Sequence, residues 1–240
     1  MKFTYALMRF FLVAILLSQP GLFSEDAFFV KKEILIAHVK ASIAKAQESH
    51  STLNNNVFSI RGFSSAKVRR LLNSLCSLNG GTYLEIGCCT GSTFVPAVYG
   101  NQQTLRDIIA IDNWSEFEGP RSTFFKNVNR FLEPDKLRFF ETDCFSINVS
   151  TAFPHPVSIY FYDGNHSEKS QRAAFTHFNP IFDDVFIAVV DDWNWQQVQR
   201  GTFQAFEELQ YKVHYQQEFL TTGNNPDSWW NGLYIAVIEK

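Results

Sequence analysis

The stretch Thr82–Thr93 has the sequence Thr-Tyr-Leu-Glu-Ile-Gly-Cys-Cys-Thr-Gly-Ser-Thr, which predicts a buried strand, a glycine turn and the start of a helix. Gly87 and Gly91 allow the backbone to turn sharply and to come close to a ligand. Ser92 and Thr93 are residue types that cap a following helix. Open α/β sheets bind nucleotide-like cofactors at such a turn, because free N–H groups and the positive helix end face the ligand there.

The spacing of the glycines separates the candidate cofactors. A dinucleotide site needs G-x-G-x-x-G, whereas the run from Gly87 to Gly91 lacks the middle and last glycines. Glu85 lies two residues before the first glycine instead. Glu-x-Gly-x-x-x-Gly resembles the first motif of class I S-adenosylmethionine (SAM) dependent methyltransferases. The longer Leu-Glu-Ile-Gly-x-x-x-Gly-Ser-Thr is similar to the macrocin-type sugar O-methyltransferases, although most class I enzymes carry a third glycine where Cys89 stands.

This resemblance implies an α/β, Rossmann-like class I methyltransferase fold, with a seven-stranded, mainly parallel sheet that ends in an antiparallel hairpin. It also implies SAM as the cofactor. An acid at the end of the second strand, Asp112, is expected to hold the ribose diol, and the Trp114 indole to cover the adenine. The full set of predicted cofactor-binding residues is Glu85, Gly87, Cys89, Gly91, Ser92, Asp112, Asn113, Trp114, Asp143 and Cys144.

Composition limits the function classes. The 240 residues are 45% hydrophobic, enough for one sizeable α/β domain. A net charge of −3 gives no basic surface for nucleic acid, so none is expected as a partner. The four cysteines show no zinc-like spacing and no disulfide framework. The expected partner is a small-molecule acceptor, and the sequence is compatible with an oligomer.

The N-terminus resembles a secretory signal peptide. Lys2 and Arg9 precede an apolar run over residues 10–17, which is shorter than the about 20 residues that span a bilayer. We divide the chain into a signal-like or anchor segment (1–24), a helical extension (25–80) and a methyltransferase domain (81–240). The first segment favours export or membrane association, whereas SAM dependence favours the cytoplasm, so the localisation stays open.

Hydrophobic periodicity predicts the remaining elements. On the helix predicted over 64–78, Arg69 and Asn73 are expected to lie away from the apolar face. Alternation of strands and helices predicts a mainly parallel sheet. The predicted helices are 27–50, 64–78, 120–132, 167–178 and 196–209, and the strands after the first are 107–112, 137–143, 157–163, 185–192, 211–220 and 232–238.

Three carboxylates carry the predicted chemistry. Asp163 ends the fourth strand, and Asp191 and Asp192 end the fifth, so parallel pairing brings them to one edge of the sheet. Clustered carboxylates repel one another unless a cation joins them, and oxygen ligands suit magnesium or manganese. The macrocin-type enzymes share this pattern of acids. We therefore predict a metal site at Asp163, Asp191 and Asp192.

His166 lies three residues after Asp163, and these two are the predicted catalytic residues. His166 could act as the general base toward an acceptor hydroxyl, or it could be a helix-terminal histidine bonded to backbone or to Asp163. Four tryptophans are candidates for the acceptor pocket wall or for packing: Trp193, Trp195, Trp229 and Trp230.

The predicted function is metal-assisted O-methylation of a sugar-like or phenolic hydroxyl. The alternatives are an exported protein that uses the cleft only for binding, a nicotinamide oxidoreductase, which the glycine spacing disfavours, and N- or C-methylation.

Overall fold

The computed structural model describes residues 24–48, 53–117 and 119–240, and a seven-stranded sheet runs through them. Its strands are β1 (Thr82–Ile86), β2 (Asp107–Ile111), β3 (Arg138–Phe140), β4 (Val157–Tyr162), β5 (Phe182–Asp191), β6 (Lys212–Phe219) and β7 (Leu233–Glu239). The order across the sheet is β3-β2-β1-β4-β5-β7-β6. The first five strands pair in parallel, and β7 is antiparallel to both β5 and β6. The predicted fold class is therefore confirmed.

Helices cover both faces of this sheet. Alternate residues of β1 point to opposite faces, and both are fully buried: Tyr83 packs in the core that holds Val39 and Leu72, and Leu84 in the core that holds Phe175. This burial on two sides is typical of parallel sheets. The helices are α1 (Ser24–Gln47), α2 (Asn55–Phe58), α3 (Ala66–Leu75), α4 (Phe94–Val98), α5 (Arg121–Phe131), α6 (Val149–Ala152), α7 (Glu168–Thr176) and α8 (Gln196–Glu208).

The predicted N-terminal extension packs into the same core as the sheet. Helix α1 contacts α3 and also β5, β6 and β7. Lys31 of α1 forms an ion pair with Asp183 of β5. Leu35 and Val39 are buried against the sheet residues of this core. The residues before Ser24, which include almost all of the signal-like segment, lie outside the described part of the chain. No helix in the described ranges is long and apolar enough to cross a membrane.

Arg69 and Asn73, which were expected to lie away from the apolar face of α3, are both buried in the structure. Arg69 is 5% exposed, and its Nη1 donates to the carbonyls of Phe58 and Ile60 at 2.8 and 2.9 Å. Asn73 is also buried and donates to the Pro96 carbonyl at 2.8 Å. Both side chains satisfy backbone carbonyls at chain turns, which otherwise would be buried without partners. The helical pattern of the sequence separates polar from apolar residues. It cannot show that a polar side chain will reach a backbone carbonyl of another segment.

Candidate functional site

A cleft of about 610 Å³ opens at the carboxyl ends of the central strands. This volume lies within the range of about 300–1,000 Å³ that is usual for small-molecule sites. Three of the predicted site residues, Glu85, Gly91 and Ser92, do not line the cleft. The cleft does bring together the others, namely Gly87, Cys89, Asp112, Asn113, Trp114, Asp143, Cys144, Asp163, His166, Asp191 and Asp192.

The turn after β1 requires a glycine because the backbone after β4 passes very close to it. Gly87 has φ +88°, and a Cβ atom built on it would lie 1.9 Å from the carbonyl oxygen of Asp163. The Asp163 N–H donates to the Ile86 carbonyl at 2.9 Å, and the Gly87 N–H donates to that of Ile111 at 2.9 Å. Only glycine fits where the ends of β1, β2 and β4 converge in this way.

The helix after the turn begins differently from our expectation. Helix α4 starts at Phe94, and neither Ser92 nor Thr93 caps it with a side-chain hydrogen bond. The Thr93 hydroxyl donates to Glu85 Oε1 at 2.6 Å instead. Ser92 is 4% exposed and packs beneath the loop that contains Gly62, where an added Cβ would lie 2.0 Å from Ser92 Oγ. The predicted capping role of these residues was therefore wrong.

Glu85 faces the protein interior. Its side chain is fully buried, and it accepts hydrogen bonds from the Tyr83 hydroxyl at 2.5 Å and from Thr93. Alternation along β1 explains this, because Glu85 points to the same face of the sheet as Tyr83. Burial raises the pKa of the Glu85 carboxyl to about 8, and hydrogen bonds from Thr93 and Tyr83 oppose the rise. This geometry gives Glu85 a role in joining β1 to the start of α4.

We expect Glu85→Gln to remove part of the pH dependence of stability. The pKa of the Glu85 carboxyl is higher in the folded protein than in the unfolded chain, where it has its ordinary value of 4.5. The resulting stabilisation is fully present below pH 4.5 and is lost as the pH rises through about 8. The free energy of unfolding of the wild type should fall by about 3–5 kcal/mol relative to the variant over this range. Urea unfolding at pH 5 and pH 8 measures the difference, and parallel pH profiles would contradict it.

Asp112 joins the two loops that form one wall of the cleft. Its Oδ2 accepts from the Cys89 N–H at 2.7 Å, and its Oδ1 accepts from the Trp114 N–H at 2.7 Å. Cys89 and Trp114 both have positive φ, at 46° and 47°. Non-glycine residues seldom adopt this conformation, so the carboxylate holds two strained loops in place.

The Trp114 indole forms a rigid part of this wall. It is 8% exposed, and its Nε1 donates to the Cys89 carbonyl at 2.9 Å. Its rings pack against Phe124 and Phe125, with centroids 5.2 and 5.6 Å away. Farther along, Asp143 is exposed, and its carboxylate accepts from the Phe145 N–H at 3.0 Å. Asn113 is exposed as well, so polar groups and a fixed aromatic surface lie side by side.

A second cluster lies where β4 and β5 end. His166 Nε2 is 3.1 Å from Asp192 Oδ2 and 3.5 Å from Asp163 Oδ1. Asp192 has φ +54°, and its Oδ1 accepts from Asn231 Nδ2 at 2.8 Å. Asp191 is 2% exposed. Burial raises the pKa of the Asp163 and Asp191 carboxyls well above their usual range, and the charges of neighbouring carboxylates add to the rise.

Aromatic side chains complete the cleft. Trp195 is 41% exposed, and its ring meets that of His166 edge-on at 5.1 Å. Phe63 and Phe117 meet across the opening at 5.1 Å. Trp230 also lines the cleft, whereas Trp193 and Trp229 are buried by stacking on other rings. Phe63, Phe117 and Asn231 were not among the predicted site residues, because loop residues without periodicity give no such signal.

No model of a known protein family matches the sequence, and no curated protein is significantly similar to it. An O-methyltransferase from Bacillus cereus, solved in complex with SAH, has a TM-score of 0.54 at 12% identity and covers 85% of this chain and 91% of its own. A Staphylococcus aureus structure, described provisionally as a caffeoyl-CoA O-methyltransferase, has a TM-score of 0.54 at 13% identity, covering 87% and 99%.

A third similar structure is the O-methyltransferase TomG from Streptomyces achromogenes, which is involved in tomaymycin synthesis and was solved in complex with SAM. Its TM-score is 0.50 at 16% identity, and it covers 85% of this chain and 90% of its own. The chain thus has the Rossmann-like fold of the class I methyltransferases. Identities this low establish the fold, and the chemistry has to be argued from the site.

Proposed function

We propose that this protein is a SAM-dependent O-methyltransferase that acts on a hydroxyl group of a small molecule. The charge of the cleft carries the proposal. The described residues that line it include six acids and no Lys or Arg, so a pyrophosphate would be repelled by the lining. A sulfonium and an ammonium group, in contrast, suit an acidic cleft. The acidic residues that line it are Asp112, Glu116, Asp143, Asp163, Asp191 and Asp192.

The wall built by Asp112 and Trp114 suits the nucleoside part of SAM. The Asp112 carboxylate is fixed by two N–H donors and still has lone pairs for the ribose hydroxyls. The Trp114 indole and Cys144 line the adjoining space. Bound SAM would supply an electrophilic methyl group: the acceptor oxygen would bond to the methyl carbon as the carbon–sulfur bond breaks, the hydroxyl proton would pass to a base or to water, and SAH would remain. The protein contributes alignment of the two reactants.

We further propose that a divalent ion assists the reaction at the second cluster. Asp163 and Asp192 offer carboxylate oxygens to the same space, and the buried Asp191 carboxyl lies beside them. An ion held there would stabilise an acceptor alkoxide and position two neighbouring oxygens. Removal of the charge on Asp163 or Asp192 would therefore leave SAM binding largely intact and impair the transfer step.

His166 fits two roles in this reaction, and they exclude each other. As a general base, its Nε2 would take the hydroxyl proton. As a metal ligand, the same nitrogen would be coordinated and could not accept a proton. The first role predicts unchanged metal affinity when His166 is replaced, and the second predicts weaker binding.

The acceptor is proposed to be a neutral sugar-like or phenolic molecule. The O-methyltransferases with the same fold, the macrocin-like first motif and the exposed Trp195 beside His166 support this choice. Acidic lining makes a nucleic acid acceptor unfavourable. No observation on the described residues favours the alternative of an exported binding protein.

Asp192→Asn tests the proposed function. With SAM and MnCl2, the wild type should form SAH in the presence of catechol or a methyl glycoside, each of which has adjacent hydroxyls. The variant should lose turnover by about 100-fold or more, because the ion loses a charged ligand. Its SAM affinity should change less than about threefold.

Asp184→Asn is a matched control. Asp184 is exposed near the start of β5, whereas Asp192 directly follows the end of that strand. It should behave as the wild type. Equal turnover in Asp192→Asn and wild type would contradict the role of the ion, and absence of SAM binding in the wild type would contradict the function itself.

A further inference from the structure

We infer that the cluster at the ends of β4 and β5 binds a first-row transition-metal ion through Asp163, His166 and Asp192, with His166 Nε2 as a direct ligand. The inference rests on the proposed function, because it concerns the same site. It differs from the all-oxygen magnesium or manganese site expected from the sequence, in which Asp191 was a ligand and His166 was not. Metal binding is also measurable without methyl transfer.

The two distances from His166 Nε2 match those between ligands of a coordinated ion. Ligand atoms with bonds of about 2.1 Å lie about 3.0 Å apart when adjacent in an octahedron and about 3.4 Å apart in a tetrahedron. His166 Nε2 lies 3.1 Å from Asp192 Oδ2 and 3.5 Å from Asp163 Oδ1. One ligand atom from each of the three residues lies within 4.8 Å of the other two. The imidazole nitrogen is therefore part of the constellation.

Two buried polar atoms here have no hydrogen-bond partner among the described residues. One is His166 Nε2, whose contacts with the two carboxylates lack hydrogen-bond geometry, and the other is Asp191 Oδ1. Asp191 is only 2% exposed, and it lines the cleft. Buried polar atoms are seldom left unpaired. An ion bound to His166 Nε2 would satisfy that atom and provide positive charge next to Asp191.

The surrounding residues hold Asp192 and His166 in place for coordination. Asn231 Nδ2 donates to Asp192 Oδ1 at 2.8 Å, which leaves Oδ2 to face His166. Asn231 is 5% exposed and is itself held by Asn194 at 3.1 Å. The edge of Trp195 packs against the His166 ring. Such fixation of ligands by neighbouring side chains is a general feature of metal sites.

The donor set indicates the class of ion. Magnesium prefers oxygen donors alone and keeps much of its water, whereas imidazole nitrogen favours ions later in the first row, such as Co²⁺, Ni²⁺ or Zn²⁺. Two carboxylates and one imidazole leave several coordination positions open. An acceptor with two neighbouring oxygens could occupy two of them.

Calorimetric titration of the full-length protein, purified without a histidine tag, tests this inference. Without SAM, Co²⁺ should bind at least tenfold more tightly than Mg²⁺, and its visible absorption should change on binding. His166→Gln should weaken Co²⁺ binding at least tenfold and alter that spectrum. Asp192→Asn should weaken binding of both ions.

His155→Gln is the matched control, because His155 also pairs with a carboxylate, Asp107 at 2.6 Å, at the start of β2 outside the cleft. It should leave Co²⁺ binding unchanged. Equal Co²⁺ affinity in His166→Gln and wild type, with both folded by circular dichroism, would overturn the inference, as would equal affinities for Mg²⁺ and Co²⁺. If His166→Gln does not fold, the inference is tested on the wild type alone, by its relative affinities for Co²⁺ and Mg²⁺ and by the visible spectrum of bound Co²⁺. In the wild type, absence of metal binding with SAM binding present would refute this inference alone, whereas metal binding without SAM binding would refute the proposed function.

Discussion

Gly87→Ala is expected to lower the free energy of unfolding by more than about 4 kcal/mol, because a backbone atom occupies the place of the new methyl group. The added Cβ would lie 1.9 Å from the Asp163 carbonyl oxygen and 2.5 Å from its carbon. Relief requires separation of β1 from β4 at the centre of the sheet, where Asp163 N–H bonds to the Ile86 carbonyl. The positive φ of 88° adds strain for any side chain.

Gly80→Ala separates the effect of the steric clash from the effect of the positive φ. Gly80 also has a positive φ, 72°, but nothing lies within 4 Å of an added Cβ. It should cost only about 1–2 kcal/mol, the strain of the left-handed conformation. Urea unfolding followed by circular dichroism measures both variants. Similar losses for Gly80→Ala and Gly87→Ala would show that the close approach of β1 and β4 is not what requires glycine.

Asp112→Ala is expected to weaken SAM binding by about 100-fold or more. The change removes the acceptor proposed for the ribose hydroxyls, and each charged hydrogen bond contributes about 1.5–3 kcal/mol. It also leaves the N–H groups of Cys89 and Trp114 without their carboxylate, so two strained loops lose their connection. Calorimetric titration with SAM measures the effect.

Two further variants make the Asp112 result specific. Asp112→Asn keeps an acceptor oxygen and should lose less affinity than the alanine variant. Asp107→Ala removes an acid from the opposite end of the same strand, where it pairs with His155, and should leave SAM affinity unchanged. If Asp112→Ala binds SAM as the wild type does, the assignment of the nucleoside wall is wrong.

The fold was largely predictable because its signals are local. Apolar runs that end in glycine or in an acid mark the central strands, and alternation with helices predicts parallel pairing. The acids at the ends of strands also placed Asp163, Asp191 and Asp192 correctly at one edge of the sheet. The helix predicted over 167–178 is α7, and Ser167 caps its start, where its Oγ accepts from the Ser170 N–H at 3.2 Å.

The details that escaped prediction depend on contacts between distant segments. Glu85 has the sequence position of a cofactor-binding acid, yet its bonds to Tyr83 and Thr93 place it in the core. The contact between Asn231 and Asp192 spans 39 positions and depends on how the last hairpin folds back. Hydrophobic periodicity in the sequence gives no information about such contacts. Among the six acids that line the cleft, Glu116 alone was not a predicted site residue, because it lies in a loop.

Titration of the full-length protein with SAM, in parallel with NAD⁺, decides whether the cleft is a SAM site. We expect micromolar binding of SAM, with a few kcal/mol of stabilisation at saturating ligand, and no binding of NAD⁺, whose pyrophosphate the acidic lining would repel. Binding of NAD⁺ without binding of SAM would contradict it.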